Sequence, residues 1–439
     1  MKSTIETLHP ARRRDTLRHL SCSLACILLL GLCPARTSAQ VIEAGYGRGK
    51  VLKFDQWLNK EGALKQQESQ SFWIGYVYQT NADEHCAYAA DYNYPTFTFG
   101  LLIADFNNVR LRYKPNNIAA FKDRPINYDS RCGTSYVLYA TIRRAFFRTQ
   151  SGWSIDYKFS NGIGYNTHIY NRFTNVDNVM IGSRLSVYFD VSFGLNYRYG
   201  QCEWFVGPEF LHLSNGGIIR PNKGVNKAGI EAGMRYYLQP YDSLSFERKH
   251  VPFEEKRLYL NIAYASGLRG SQGEWLYDAN KYIWSHNDVD NIKYGKDGYT
   301  LCHYHQISTD LMYRYALRYA SGIGFDVLYE PYNTNIEIQQ TVADERPNNV
   351  NWSFGLAAKH EVYFRRLSMQ IALGWYLSRP LNDYSNTTEE YPFYERIGLR
   401  YNLPILSDCI SVGYNIYAHV TKAYGTELVI DFKLPVAKR

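Results

Sequence analysis

The sequence predicts an all-β protein, a transmembrane antiparallel β-barrel of roughly 12 to 16 strands with long polar loops. Three observations carry the prediction. Apolar and polar residues alternate with period 2 from one end of the chain to the other, as strands with two unlike faces require. The 439 residues include 40 Tyr, 21 Phe and 8 Trp, yet the mean hydropathy is negative; a polar lumen inside an apolar wall girdled by aromatics has that composition. Beyond the first 40 residues there is no run of 18 apolar residues, which excludes helical membrane spans.

Residues 1–39 read as an export signal, with 40–439 as the barrel. Lys2, Arg12, Arg13, Arg14 and Arg18 form a basic region, Leu20 to Leu32 an apolar one, and Thr37-Ser38-Ala39 offers small residues for cleavage before Gln40. The apolar run is too short to span a bilayer. A lipoprotein reading at Cys33 is disfavoured because Leu32 stands where a small residue is needed.

The clearest strand is the last. Leu428, Ile430, Phe432 and Leu434 alternate with Glu427, Val429, Asp431 and Lys433, one face suited to lipid and the other to a polar lumen. On this pattern an arginine at Asp431 should be tolerated better than one at Leu428. Trp352, Phe354, Leu356 and Ala358 repeat the split against Ser353, Lys359 and Glu361, and so do 257–264 and 409–418. Further strands are expected near 71–79, 95–106, 135–147, 151–160, 179–199, 203–214, 226–238, 302–330, 367–377 and 394–402, the longest holding two each. The stretches 107–134, 268–300, 331–350 and 378–393 read as loops. A single barrel is preferred to two domains because no Pro/Ser/Gly tract divides the chain.

The formal net charge is +8, and about half of it belongs to the signal, where Lys2, Arg12, Arg13, Arg14, Arg18 and Arg36 outnumber Glu6 and Asp15. The modest remainder argues against nucleic acid as a partner and is compatible with anionic headgroups. Past the signal stand Cys86, Cys132, Cys202, Cys302 and Cys409. An odd, widely spaced set is neither a disulfide framework nor a metal motif, and neither metal nor cofactor is expected.

The segment with chemistry in it is Phe210-Leu211-His212-Leu213-Ser214-Asn215-Gly216-Gly217. Residues two apart in a strand share a face, so His212 and Ser214 are neighbours. An imidazole beside a hydroxyl is the minimum for nucleophilic acyl transfer, and the amides that follow offer donors to an oxyanion. On spacing alone a plain hairpin turn accounts for Ser-Asn-Gly-Gly better than catalysis does, since Phe159-Ser160-Asn161-Gly162 occurs elsewhere without a histidine. Strand parity puts Trp204, Val206, Phe210, His212 and Ser214 on one face, and Asn226 with Ala228, Ile230, Ala232 and Met234 on the same side of the next strand. Glu231 falls on the opposite face, toward the lumen.

The whole segment resembles the lipid A 3-O-deacylase family of outer-membrane barrels, the PagL-like acyloxyacyl hydrolases. Its pattern His-x-Ser-Asn-x-Gly followed by Pro-Asn-x-Gly and a branched aliphatic is matched by His212, Ser214, Asn215, Gly217, Pro221, Asn222, Gly224 and Val225. Asn178-Val179-Met180-Ile181-Gly182-Ser183 looks similar too, so the resemblance covers about 150–240, and the C-terminal half looks like an extended branch. The resemblance implies a Gram-negative outer-membrane enzyme with lipid A, or lipopolysaccharide, as substrate. It further implies a catalytic His212 and a nucleophilic Ser214, with Asn215, Gly217 and Asn222 as oxyanion or loop support. The family's catalytic acid falls on Asn226, a departure that removes the charge facing the imidazolium.

Other candidates are weaker. Gly45-Tyr46-Gly47-Arg48-Gly49-Lys50 only loosely resembles a phosphate loop and lacks a strand-loop-helix setting. His303 and His305 suit an aromatic girdle better than a metal site. The competing reading from another class is a non-catalytic barrel, a channel or structural protein.

Overall fold

The computed structural model describes residues 39–438 except 55–57, 59–63, 83–85, 112–129, 172–173, 176, 240–245, 247–252, 254–255, 271–300, 332–349, 380–391 and 420–421. The expected signal and most of each expected long loop therefore lie outside the described residues. The strands are β1 (Ala39–Val51), β2 (Leu64–Gln66), β3 (Glu68–Gln79), β4 (Thr96–Leu111), β5 (Ser130–Arg148), β6 (Trp153–Asn166), β7 (Leu185–Tyr199), β8 (Cys202–Ser214) and β9 (Val225–Tyr237). They continue as β10 (Arg257–Gly270), β11 (Leu301–Arg314), β12 (Tyr319–Tyr329), β13 (Trp352–Phe364), β14 (Leu367–Ser378), β15 (Phe393–Asn402), β16 (Ile410–His419) and β17 (Lys422–Lys438). A short helix α1 (Ala87–Asp91) lies between β3 and β4.

The strands close into two antiparallel barrels where the sequence suggested one. The first runs β1-β3-β4-β5-β6-β7-β8-β9 and returns to β1, with β2 an extra pairing on β4; the second runs β10 to β17 and returns to β10. The strand that makes the difference is β1. Its six residues Gly45–Lys50, whose resemblance to a phosphate loop is only loose, pair with β3 on one side and β9 on the other. Glycine hides the strand pattern here because neighbours press close: a Cβ on Gly45 would lie 2.2 Å from the Trp73 ring, and one on Gly49 would lie 2.2 Å from the Ala228 carbonyl oxygen. Of the two long strand candidates, 302–330 does hold two strands, whereas 179–199 holds only β7. Val179, Met180 and Ile181 are instead buried in the hydrophobic cluster with Leu211 and Leu213.

Alternation sets which face is which. Leu428, Phe432 and Leu434 are 46%, 41% and 47% exposed on the outer wall, while Glu427 and Asp431 are buried inside. Both lumens are filled with paired charges. In the first, Glu43 bridges Arg143 (3.1 Å) and Arg235 (2.7 Å), Lys158 pairs with Asp190 (3.2 Å) and Glu231, and Lys227 with Glu209 (2.5 Å). In the second, Lys359 pairs with Asp310 (2.5 Å) and Asp326 (3.1 Å), Arg396 with Asp326 and Glu427, and Arg400 with Asp431 (2.7 Å), beside buried Tyr304, Tyr394, Tyr417 and Tyr424. An eight-stranded wall is just wide enough for such a filling.

The expectation for Asp431 changes accordingly. An arginine there loses the Ser411 and Arg400 contacts and sets two cations together in a buried site, a cost of roughly 3–5 kcal/mol. Leu428→Arg places a cation on the lipid face, at roughly 2–4 kcal/mol near the midplane. Heat-modifiability and urea midpoints of the two variants should therefore both fall, with Asp431→Arg no milder than Leu428→Arg.

The two barrels touch along one side and stand the same way up. At one end Asp91 pairs with Arg318 (2.7 Å) and Tyr92 donates to the Tyr363 carbonyl (2.9 Å). Midway Tyr414 donates to Asn161 Oδ1 at 2.7 Å. At the other end the β8–β9 loop meets β10 and β17. At that end β4 stops at Leu111 and β5 starts at Ser130, β10 stops at Gly270 and β11 starts at Leu301, and β12 stops at Tyr329 and β13 starts at Trp352; at the opposite end 149–152, 200–201, 315–318 and 365–366 turn tightly, while β3 to β4 and β9 to β10 are joined by 80–95 and 238–256.

Candidate active site

The site forms where β8 ends. The ladder between β8 and β9 pairs His212 with Asn226, and the ladder between β7 and β8 pairs Ser214 with Val187. With period 2 along β8, His212 and Ser214 emerge on one face and Asn226 emerges beside them from the next strand. Trp204, Val206, Ile230 and Met234 on the same face are exposed outer-wall residues, so the group stands at the top of the first barrel's lipid-facing wall.

The three side chains form a hydrogen-bonded line. His212 Nε2 lies 2.9 Å from Ser214 Oγ, and His212 Nδ1 lies 2.7 Å from Asn226 Oδ1. An amide oxygen only accepts, so this arrangement places the imidazole proton on Nδ1 and leaves Nε2 to take the serine proton. Ser214 is 8% exposed, while His212 and Asn226 are half-buried. Glu231 sits inside the lumen, where its carboxylate accepts from Lys158 and, at 2.6 Å, from Ser192 Oγ.

The loop after Ser214 is built by its own amides. Asn215 Oδ1 accepts from the Gly217 N–H at 3.1 Å, Asn215 Nδ2 donates to the Ile219 carbonyl at 2.8 Å, and Asn222 Oδ1 accepts from the Asn215 N–H at 3.1 Å. The Asn215 side chain and the Gly217 N–H are thereby engaged in shaping the loop. Two donors differ from these: Asn222 Nδ2 is buried with no hydrogen-bond partner among the described residues, and the Gly216 N–H points at Ser214 Oγ from 3.5 Å. Sequence reading passed over Gly216, because nothing in a Gly-Gly pair tells which N–H will face the hydroxyl.

Gly224 has a role that its motif position alone did not reveal. Its φ is +70°, and a Cβ there would lie 2.9 Å from His212 Cε1, so glycine serves both the left-handed turn and the approach to the imidazole. Backbone bonds from Lys223 to Val179 and from Gly224 to Met180, each 3.0 Å, hold this return strand against the β6–β7 connection. The resembling segment at 178–183 thus acts as the site's support. His305, by contrast, stacks on Tyr264 at 6.0 Å between ring centroids, far along the chain on the second barrel's wall.

No curated relative matches the chain. Among solved structures it is similar to an outer membrane channel from Pseudomonas putida F1 (7% identity, 92% of this chain and 100% of that one, TM-score 0.19) and to the TodX monoaromatic hydrocarbon channel (9%, 92% and 91%, TM-score 0.16). A mutant porin of Rh. blastica is comparable (7%, 91% and 100%, TM-score 0.15). Superpositions that loose carry no argument about this protein. Family matches do: residues 87–235 match lipid A 3-O-deacylase (PagL), and residues 281–435 match the acyloxyacyl hydrolase C-terminal domain. The two matches extend beyond the 150–240 resemblance to cover β4–β9 of the first barrel and most of β11–β17 of the second, and the chain belongs to the PagL family of lipid A 3-O-deacylases, Gram-negative outer-membrane hydrolases that act on lipid A.

Proposed function

We propose that this deacylase is a serine esterase with Ser214 as nucleophile, His212 as general base and Asn226 as the group that orients the imidazole. The observation that carries the reading is the line Ser214 Oγ, His212, Asn226 with contacts of 2.9 and 2.7 Å. In the first step His212 Nε2 takes the Ser214 proton while Oγ attacks the ester carbonyl, and the same proton passes to the departing sugar oxygen. In the second step His212 Nε2 draws a proton from water as the water oxygen attacks the acyl carbonyl, and returns that proton to Ser214 Oγ as the ester bond breaks and the fatty acid leaves. The strand end bearing the site is also the end with the longer connections, which in outer-membrane barrels faces the cell exterior. Ser214 is then level with the outer leaflet that holds lipid A, and the acyl chain lies along the wall formed by Val206, Ile230 and Met234.

The oxyanion is assigned to Asn222 Nδ2 and the Gly216 N–H. Asn222→Asp separates the two jobs of that side chain, since it keeps the acceptor for the Asn215 N–H and loses the donor. Turnover is expected to fall by about 10²- to 10³-fold with the heat-modifiable fold retained, measured on purified protein and lipid A. The reading as a whole is tested by fluorophosphonate labelling followed by peptide mass spectrometry. The label should sit on Ser214; labelling of another residue together with full activity would refute the assignment. A channel has less in its favour, because both lumens are filled by ion pairs and tyrosines among the described residues.

A further inference from the structure

The loop that follows Ser214 leans on the second barrel. Gly216 has φ +64°, its carbonyl accepts from Thr426 Oγ1 at 3.3 Å, and a Cβ on it would lie 2.2 Å from that oxygen and 3.3 Å from Ile416 Cδ1. Gly217 has φ +83°, and a Cβ on it would lie 2.6 Å from the Tyr424 carbonyl oxygen. The Gly217 carbonyl accepts from the Gly270 N–H at 2.8 Å, and Arg220 Nε donates to the Gly270 carbonyl at 3.0 Å. Gly270 ends β10 and Thr426 makes the last pair of β17 with β10, the strands whose pairing closes the second barrel.

The rim behind these contacts is itself braced. Tyr424 donates to Glu330, which pairs with Arg269 (3.6 Å) and Arg379 (3.4 Å), and the Arg269 guanidinium lies 4.3 Å from the centroid of the Tyr424 ring. Two successive glycines in left-handed conformation are the most permissive backbone a chain offers. Within the first barrel, their peptide planes are held by the Asn215 side chain, by the Ile218 N–H on the Asn215 carbonyl at 3.4 Å and by the Gly216 N–H contact with Ser214 Oγ at 3.5 Å. The contacts from β17 and β10 fix the Gly216–Gly217 and Gly217–Ile218 planes, and the preceding Asn215–Gly216 peptide, whose N–H faces Ser214 Oγ, is held to them through the Gly216 backbone angles alone.

We infer that the second barrel is the positioning element of the active site, with Thr426 and Gly270 as the tethers that hold the Gly216-Gly217 peptides in reactive geometry. This rests on Ser214 being the nucleophile. It assigns the C-terminal half a part in turnover that needs neither a pore nor a second catalytic centre.

The test uses the full-length protein in detergent micelles, with kcat and KM on lipid A and the rate of Ser214 labelling by a fluorophosphonate. Thr426→Val removes the donor at nearly constant volume and is expected to lower kcat and labelling about five- to tenfold, the worth of one hydrogen bond, with KM held within about twofold. Thr426→Ser should recover most of the loss. Gly270→Val pushes on the Ile218 carbonyl, which a Cβ would approach to 2.8 Å, and should slow labelling at least as much in protein that remains heat-modifiable. Leu373→Ala, on the exposed wall of the same barrel, should behave as wild type. Wild-type kcat and labelling in both Thr426→Val and Gly270→Val would overturn the inference, as would a rise in KM alone. Ser214→Ala run in parallel separates the claims: activity persisting there refutes the nucleophile and the inference with it, whereas an inactive Ser214→Ala beside fully active tether variants refutes only the tethers.

Discussion

Ser214→Ala and His212→Ala are each expected to abolish deacylation, with kcat falling on the order of 10⁴-fold or more while the barrels still form. The split between chemistry and folding follows from where the groups stand. Ser214 Oγ touches His212 Nε2 and the Gly216 N–H, and among the described residues no lumen ion pair or inter-barrel contact runs through it. The β8 ladders with β7 and β9 are backbone bonds that alanine preserves. Nucleophile and base act on one proton, so losing either removes the same step, and the double variant should be little worse than each single one. The check is kcat per folded protein, with the folded fraction read from heat-modifiability on gels. A double variant much slower than either single would mean that the two residues act independently.

Asn226→Ala should slow turnover on the order of 10²- to 10⁴-fold, because it deletes the acceptor that holds the imidazole with its proton on Nδ1. Asn226→Asp keeps the reach of the 2.7 Å contact and adds the charge that the family pattern has at this position. It is expected to match or exceed wild-type kcat, since a carboxylate stabilises the imidazolium formed as Ser214 attacks. Glu231→Ala provides the contrast. It strips Lys158 of one of two carboxylates inside the lumen, so urea resistance should drop while kcat per folded molecule stays near wild type. If Glu231→Ala were inactive and Asn226→Ala fully active, the β9 register paired here with β8 would be wrong.

Much of this was legible in the sequence because a strand's period of 2 is a local property. His212 with Ser214, and Leu428 with Phe432, need no long-range knowledge to be placed on one face, and parity carried Asn226 to the same side and Glu231 to the other. What escaped was non-local. The glycines of β1 suppress the alternation that marks a strand, and with no Pro/Ser/Gly tract to divide the chain nothing local shows that β1 closes the first eight strands by pairing with β3 and β9. The tolerance expected at Asp431 followed from its place on a polar inner face; Arg400, which pairs with it there, is brought by strand pairing. The contacts of Thr426 and Gly270 with the nucleophile loop join residues 210 and 53 positions apart, and nothing in either segment announces the other.

The most direct test of the central claim is mass spectrometry of lipid A from cells producing the wild-type protein or Ser214→Ala at matched levels in the outer membrane. The account requires lipid A lacking one ester-linked acyl chain with the wild type, and unmodified lipid A with Ser214→Ala. The same acyl loss from both strains, or from neither, would contradict it.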